Sequence, residues 1–111
     1  MTSSAPQALP PVPTTRILAI GRFATPPTLE TIKTLMPEEV SATARLYLDG
    51  KIEQWFSRQD ESGVVFLLNV VDLEEAHNLL ESLPLGQAGL MKFDLIPLGP
   101  LKPLRFLLKP V

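Results

Sequence analysis

Cysteine is absent from the 111 residues of this chain, and histidine occurs once, as His77. The lack of cysteine excludes disulfides, thiol nucleophiles and cysteine-ligated metal sites. A single histidine also argues against a zinc site made by the protein alone, because zinc favours several cysteine or histidine ligands. We therefore expect no metal ion and no other cofactor.

An excess of positive charge and a long apolar run are also lacking. The chain has 10 basic and 12 acidic residues, for a net charge of −2, and the basic residues are scattered. A nucleic-acid-binding protein usually shows a basic stripe, so no nucleic-acid partner is expected. No apolar run reaches the roughly 18 residues of a membrane-spanning helix, and the N-terminus does not resemble a signal peptide. We expect a cytoplasmic protein with no membrane partner.

The length of the chain fits one domain with an extension at each end. Residues 1–15 contain four prolines and no charged side chain, which predicts a flexible, proline-rich arm. Residues 16–98 carry the periodic patterns of a folded domain. Residues 99–111 are rich in proline and leucine, so they cannot form a long helix but need apolar cover. We expect this tail to pack on the domain or on a neighbouring subunit.

The first half of the domain is predicted to be a strand followed by helix. Residues 16–23 are rich in β-formers, and Gly21 within them indicates either a bulge, which is favoured, or a close approach to the backbone. Residues 28–48 have helical periodicity interrupted by Pro37, so we expect two short helices or one helix kinked there. Gly50 is expected to end this segment in a left-handed cap.

The second half is predicted to be a hairpin, a helix and a last strand. Residues 51–59 and 64–71 flank a four-residue turn that ends in glycine, which is typical of an antiparallel hairpin. Asp72 is expected to cap the next helix, and Pro84 to stop it. Residues 90–96 alternate between apolar and polar, as a half-buried strand does.

This β-α-β-β-α-β order predicts an α+β protein with a ferredoxin-like, four-stranded antiparallel sheet and both helices on one face. The strand at residues 64–71 is apolar on both faces, so the helix-free face also needs cover. No further helix is available in the sequence. We therefore expect a homodimer in which two sheets pack together as a dimeric α+β barrel.

Three short motifs carry a resemblance to a known family. They are Asp49-Gly50-Lys51 before an aromatic strand, the VVDLEEAH segment at residues 70–77, and the SLPL segment at residues 82–85. Together they resemble muconolactone isomerase over about residues 16–98. The resemblance implies a dimeric α+β barrel that assembles into a higher homo-oligomer. It also implies a cofactor-free reaction that shifts a proton on a small lactone.

The resemblance has two departures in the region of the site. That family carries polar or ionisable residues on the first strand, where this chain has Ala19, Ile20 and Gly21. It also carries a histidine within the strand after Gly-Lys, where this chain has Gln54. Glutamine cannot shuttle protons near neutral pH, as histidine can. We therefore expect a relative that keeps the scaffold and has a changed site.

Polar residues facing a barrel cavity are the candidates for chemistry. Lys92 and Asp94 alternate with apolar neighbours, so they should point away from the helices. Gln54 and Arg58 are predicted to share one face of the second strand with Ile52 and Phe56. Arg22 lies late in the first strand and could join either group.

These residues predict a proton-transfer or anion-binding site, with Asp94 and Arg58 as catalytic candidates and Lys92, Gln54 and Arg22 as ligand-binding candidates. The simpler interpretation is an inter-subunit salt bridge or a solvated edge. The helical acids are interpreted as capping and surface charges; they are Glu30, Glu38, Glu39, Glu74, Glu75 and Glu81.

Three functions are compatible with these patterns. The first is a cofactor-free, isomerase-like enzyme that acts on a small organic substrate in the barrel cavity. The second is a protein of the same fold that binds a small ligand without turnover. The third is a structural, oligomeric module.

Overall fold

A computed structural model describes residues 11–102 of the chain. Outside the described residues lie most of the predicted arm (residues 1–10) and most of the predicted tail (residues 103–111). The described elements, in chain order, are β1 (Arg16–Phe23), α1 (Leu29–Leu48), β2 (Ile52–Ser57), β3 (Gly63–Leu68), α2 (Leu73–Glu81), α3 (Pro84–Gln87) and β4 (Met91–Leu98). The predicted α+β class is confirmed, with the short helix α3 as an addition in a segment that we expected to be loop.

The four strands form one antiparallel sheet in the order β2-β3-β1-β4. The predicted four-stranded antiparallel sheet is therefore confirmed, and its arrangement is consistent with a ferredoxin-like fold. β1 and β3 occupy the centre, and β2 and β4 are the edges. The two apolar strands, β1 and β3, therefore have a hydrogen-bonded neighbouring strand on both sides.

The core lies on one face of the sheet, beneath the helices. Alternate residues of β1 and β3 point to this face, where they meet Ala76 and Leu80 of α2. Its fully buried members from the sheet are Ile17, Ala19, Ile52, Phe66 and Leu68. α1 reaches the same cluster only through partly buried residues such as Ala42 and Leu46.

α1 is one uninterrupted helix of 20 residues with Pro37 inside it. Of the two alternatives, two short helices is wrong and a single helix through Pro37 is confirmed. The helix begins at the predicted place, after Thr28, whose side chain accepts the Thr31 N–H at 3.1 Å. No residue of α1, all of which is described, is fully buried. No helix within residues 11–102 is both long and apolar enough to cross a membrane.

Two predicted caps are confirmed. The Asp72 Oδ2 atom accepts the Glu75 N–H at 3.2 Å at the start of α2. Gly50 follows α1 with a φ of 79°, a left-handed conformation that glycine adopts without strain. These local signals depend on neighbouring backbone groups alone, which is why the sequence is enough to predict them.

A bulge in β2 changes which residues share a face. Ile52 lies opposite Leu68 and is buried in the core, and the register then shifts before Gln54. Gln54 and Phe56 lie opposite Leu67 and Val65, on the helix-free face. The prediction that Ile52 shares a face with Gln54 and Phe56 is therefore wrong, because an extra residue breaks the alternation.

Candidate functional site

A cavity of about 400 Å³ lies between α1 and the helix-covered face of the sheet. This volume is within the range of small-molecule sites, roughly 300–1,000 Å³. The lining residues come from both layers and are Phe23, Met36, Glu39, Val40, Thr43, Ala44, Trp55, Phe56, Ser57, Val64, Phe66, Leu85, Met91 and Phe93. The cavity exists because α1 stands over the sheet without burying any residue in it.

The floor of the cavity is a pair of aromatic rings that meet over β1. Phe66 of β3 and Phe93 of β4 have ring centroids 5.9 Å apart. Their partners on the intervening strand are Ala19 and Gly21, which are small enough to leave room for the rings. A Cβ atom on Gly21 would lie 2.6 Å from the Phe93 ring. The favoured bulge at Gly21 is therefore wrong, since β1 pairs without interruption, and the alternative of a close approach is confirmed.

Gly21→Ala should destabilise the protein by about 1–3 kcal/mol, because the added methyl group forces the Phe93 ring to move. Urea unfolding of the purified variant measures this change. A Phe93→Leu background is the matched control, since leucine removes the ring atoms that the methyl group meets. An equal loss of stability in both backgrounds would show that the ring contact is not the cause.

A second aromatic pair forms the side wall. The rings of Tyr47 on α1 and Trp55 on β2 are stacked with centroids 4.1 Å apart and an interplanar angle of 10°. Both remain partly exposed, at 41% and 42%. Trp55 lines the cavity, and Tyr47 covers its other face, so the stack joins the end of α1 to the edge of the sheet.

Glu39 supplies the carboxyl group of the cavity. It lies in the middle of α1, is half-buried, and its Oε1 atom accepts the Leu85 N–H of α3 at 2.9 Å. The Oε2 atom is 3.5 Å from the Thr43 hydroxyl, which donates a weak hydrogen bond to it. Within the described part of the chain, no other lining residue carries an ionisable side chain.

Burial raises the pKa of the Glu39 carboxyl above its ordinary value of 4.5, and the hydrogen bonds from Leu85 and Thr43 act in the opposite direction. A carboxyl group in a largely apolar cavity with a raised pKa is a stronger base once ionised than a surface carboxylate. The geometry therefore places one potential proton-transfer group next to an aromatic floor.

The interpretation of Glu39 as a capping or surface charge is wrong. It fits the alternative of a second helix that begins at Pro37, in which Glu38 and Glu39 would be acids of the first turn, whereas in the structure both lie mid-helix. The signal that could have found Glu39 is the stripe formed by Met36, Glu39 or Val40, and Thr43, which repeats every three to four residues. A carboxylate inside an otherwise apolar stripe is the informative feature.

The raised pKa of Glu39 predicts a pH-dependent difference between the wild type and Glu39→Gln. The unfolded chain ionises near 4.5, whereas the folded protein resists ionisation, so the stabilising contribution of Glu39 is complete below that value. It is lost as the pH rises through the folded-state pKa. Glutamine can still accept the Leu85 N–H and does not ionise.

We therefore expect the stability of Glu39→Gln, relative to the wild type, to increase with pH. Urea unfolding of both proteins at about pH 4 and about pH 7 measures this difference. A difference that is constant, or that falls with pH, would contradict the raised pKa.

The predicted site residues lie elsewhere, and the structure brings some of them together. Lys92 and Asp94 point away from the helices, and the Arg22 Nη1 atom is 3.0 Å from the Asp94 Oδ2 atom. Both side chains of this pair are more than half exposed, at 53% and 68%. Lys92 lies directly opposite Arg22 in the sheet. These three residues form one charged corner of the helix-free face.

Arg58 and Gln54 are not part of that corner. Arg58 follows β2, and its Nη2 atom is 3.9 Å from the Asp60 Oδ2 atom in the hairpin turn. Gln54 lies within β2, on the helix-free face. β2 and β4 are opposite edges of the sheet, about 14 Å apart by strand spacing, so Asp94 and Arg58 do not meet within one chain.

The described residues do not support a metal site or a site at His77. Among residues 11–102, no three acidic, histidine or cysteine side chains cluster as a metal site would require. His77 is exposed on α2, away from the cavity lining. Comparison of the chain with models of known protein families gives no match, and comparison with curated proteins gives none either.

Proposed function

We propose that this protein binds a small organic molecule in the cavity beneath α1 and moves a proton on it without a cofactor, as an isomerase-like enzyme. The observation that carries the proposal is the position of Glu39, a carboxyl group lining a cavity whose other side chains are mostly apolar. Sites with this combination, a pre-formed apolar pocket and one poised ionisable group, are typical of proton-transfer enzymes.

The chemistry follows from the two oxygens of Glu39. Oε1 is held by the Leu85 N–H, which fixes the carboxylate, while Oε2 has only the weak hydrogen bond from Thr43. As a carboxylate, Glu39 takes a proton from a carbon that lies between a carbonyl group and a C=C bond, which leaves a dienolate. The protonated Glu39 then gives a proton to the far carbon of the dienolate, so the double bond moves into conjugation and no electrons are lost or gained. Between these steps the proton on Glu39 exchanges with solvent.

Hydrogen-bond donors for the enolate oxygen are present in the lining. They are the Ser57 hydroxyl and the Thr43 hydroxyl, which has to leave its weak hydrogen bond to Glu39 to donate to the ligand. Donors that face the developing oxyanion stabilise it more than they stabilise the neutral carbonyl. The resemblance to muconolactone isomerase favours the same class of reaction, a cofactor-free proton shift on a small lactone, although Glu39 is not among the motifs that carry it.

Deuterium exchange tests the proposal without knowledge of the natural substrate. The protein is incubated in D₂O with neutral, enolisable probes, 2-tetralone and an unsaturated lactone, and incorporation is followed by NMR. We expect catalysed exchange that Glu39→Gln abolishes. Asp94→Asn distinguishes the sequence-based candidate from Glu39, because only loss of the true base stops exchange. Exchange that is not catalysed at all, or that survives Glu39→Gln, would refute the proposal.

A non-catalytic ligand-binding protein is the second candidate. The observation that favours it is that Glu39 already has a structural contact, since its Oε1 atom joins α1 to α3 through Leu85. A carboxyl group with such a role explains its burial without catalysis. Binding of the probes with no deuterium incorporation would support this candidate over the enzyme.

We also propose that the helix-free face of the sheet packs against the same face of a second copy, which gives a ferredoxin-like homodimer of the dimeric α+β barrel type. The centre of this face is apolar, and its half-buried members are Leu18, Ile20, Val65 and Leu67. Phe56 and Ile96 flank them and are 57% and 42% exposed. Such a contiguous apolar surface favours a protein partner.

The charges at the edges of the face favour an identical partner. One corner holds the Arg22–Asp94 pair, and another holds Arg16, whose Nε atom is 2.6 Å from the Glu53 Oε1 atom. The first corner also holds Lys92, and each corner presents both signs of charge, so groups of opposite charge can pair across a two-fold axis. Further assembly of such dimers is the higher homo-oligomer that the resemblance implies.

A further inference from the structure

We infer that the ligand of the cavity beneath α1 is a planar aromatic molecule that bears a hydroxyl group and no anionic group. The inference deepens the proposed function and rests on it, because it assumes that this cavity holds the small molecule. Three properties of the lining carry it: the concentration of aromatic rings, the absence of a basic side chain, and the weakly hydrogen-bonded Oε2 atom of Glu39.

Most aromatic residues of the chain are gathered around this cavity. The sequence has five Phe, one Trp and one Tyr. Four of these seven residues line the cavity from the helix-covered side of the sheet, and they are Phe23, Trp55, Phe66 and Phe93. Tyr47 adds to them by stacking on the outer face of Trp55. Phe66 also belongs to the buried core, whereas Trp55 is 42% exposed and so remains accessible to a ligand.

The arrangement of the rings suits a flat ligand. Phe66 and Phe93 form the floor, and Trp55 stands at the side as one half of a stacked pair. Aromatic rings attract one another in offset-stacked and edge-to-face arrangements, with centroids about 4.5–7 Å apart. A planar ring system between the floor and Trp55 gains these contacts, whereas a puckered saturated ring of equal size gains only apolar burial.

The charges around the cavity disfavour an anionic ligand. None of the lining residues in the described part of the chain is Lys, Arg or His. The nearest arginines along the lining strands, Arg22 and Arg58, are paired with Asp94 and Asp60. A bound carboxylate or phosphate would therefore lose its hydration without gaining a cation, and it would face the carboxyl group of Glu39.

A hydroxyl group on the ligand can donate a hydrogen bond to the Glu39 carboxylate. Its Oε2 atom has only a 3.5 Å contact with the Thr43 hydroxyl, so it can accept a stronger hydrogen bond. A ligand O–H that donates to this oxygen would be a charge-assisted hydrogen bond when Glu39 is ionised. The same contact places the most acidic proton of the ligand against the proposed base.

Calorimetric titration with three matched bicyclic probes tests the inference. They are 2-naphthol, 2-naphthoate, which has the same rings with an anion, and decahydro-2-naphthol, which has the same hydroxyl on a saturated frame. We expect 2-naphthol to bind about 2- to 10-fold more tightly than the saturated alcohol, and about 10-fold or more tightly than the anion. We expect this order of affinities for the wild-type protein near neutral pH.

Two variants separate the contributions. Glu39→Gln should improve binding of 2-naphthoate by several fold, because the like charge is removed while the acceptor for Leu85 is kept. Trp55→Leu should weaken 2-naphthol more than decahydro-2-naphthol, and thermal unfolding checks that this partly exposed position tolerates the change. Trp55 is the single tryptophan of the chain. A change in tryptophan fluorescence when decahydro-2-naphthol is added therefore reports directly that this alcohol occupies the cavity.

The outcomes distinguish this inference from the proposed function. Absence of 2-naphthol binding, or equal or tighter binding of either other probe, would overturn the ligand class. If deuterium exchange is nevertheless catalysed and depends on Glu39, the enzyme proposal stands without the ligand class. If 2-naphthol is preferred but no exchange occurs on any enolisable probe, the ligand class stands for a binding protein.

Discussion

Glu39→Gln is expected to lower turnover in the cavity by about 10²- to 10⁴-fold, the usual contribution of a general acid or base. Glutamine is almost isosteric with glutamate and can still accept the Leu85 N–H, so the anchor of α3 is retained. What it cannot do is accept a proton from the substrate. We therefore expect kcat to fall while the dissociation constant of a neutral ligand without a hydroxyl group, such as 2-tetralone, changes little.

The control for this experiment is Glu38→Gln. Glu38 is the neighbouring residue on α1, is exposed and does not line the cavity, so its substitution removes the same charge without touching the site. Turnover, measured by deuterium exchange, should remain at the wild-type rate in Glu38→Gln. A similar loss in both variants would point to a general electrostatic effect instead of a proton-transfer role for Glu39.

Leu67→Lys is expected to convert the proposed homodimer into monomers. Leu67 is a half-buried residue of the central strand β3, and it lies opposite Leu18 in the middle of the helix-free face. A lysine there would have to bury its charge between two apolar sheets. We expect the dissociation constant of the dimer to rise by about 30-fold or more, the effect of losing roughly 2 kcal/mol at a central interface position.

Sedimentation or light scattering across a dilution series measures this change. Leu48→Lys is the matched control, because Leu48 is 81% exposed on α1 and lies outside the sheet. Ile96→Lys on the edge strand β4 is a second interface variant, at a position 42% exposed where the fold should tolerate lysine. A wild-type protein that is monomeric at micromolar concentration, or dimers that survive both sheet variants, would refute the proposed interface.

The elements that the sequence predicts well are those set by local chemistry. β1 has the predicted bounds, and the Asp72 cap and the Gly50 turn form where expected. Each depends on a few adjacent residues whose preferences point the same way. The alternation of Lys92 and Asp94 on β4 also held, because no extra residue interrupts that strand.

The candidate site is less predictable because it depends on distant contacts. Nothing in the local sequence indicates that Glu39 meets Leu85, 46 residues away. The ring of Phe93 lies over Gly21 because of strand pairing that only the folded sheet establishes. The bulge in β2 likewise moves Ile52 to the core side, against the alternation that the sequence suggests.

Because α1 has no fully buried residue, we expect it to open at a lower free energy than the sheet and α2 do. The sheet and α2 share a dry core, whereas α1 is held by partly buried contacts, the Glu39–Leu85 hydrogen bond and the Tyr47–Trp55 stack. Segments with few buried contacts open at a lower free energy than global unfolding. A ligand can therefore enter by transient lifting of α1 while the strands stay paired, and amide hydrogens of α1 should exchange with solvent before those of β1 and β3.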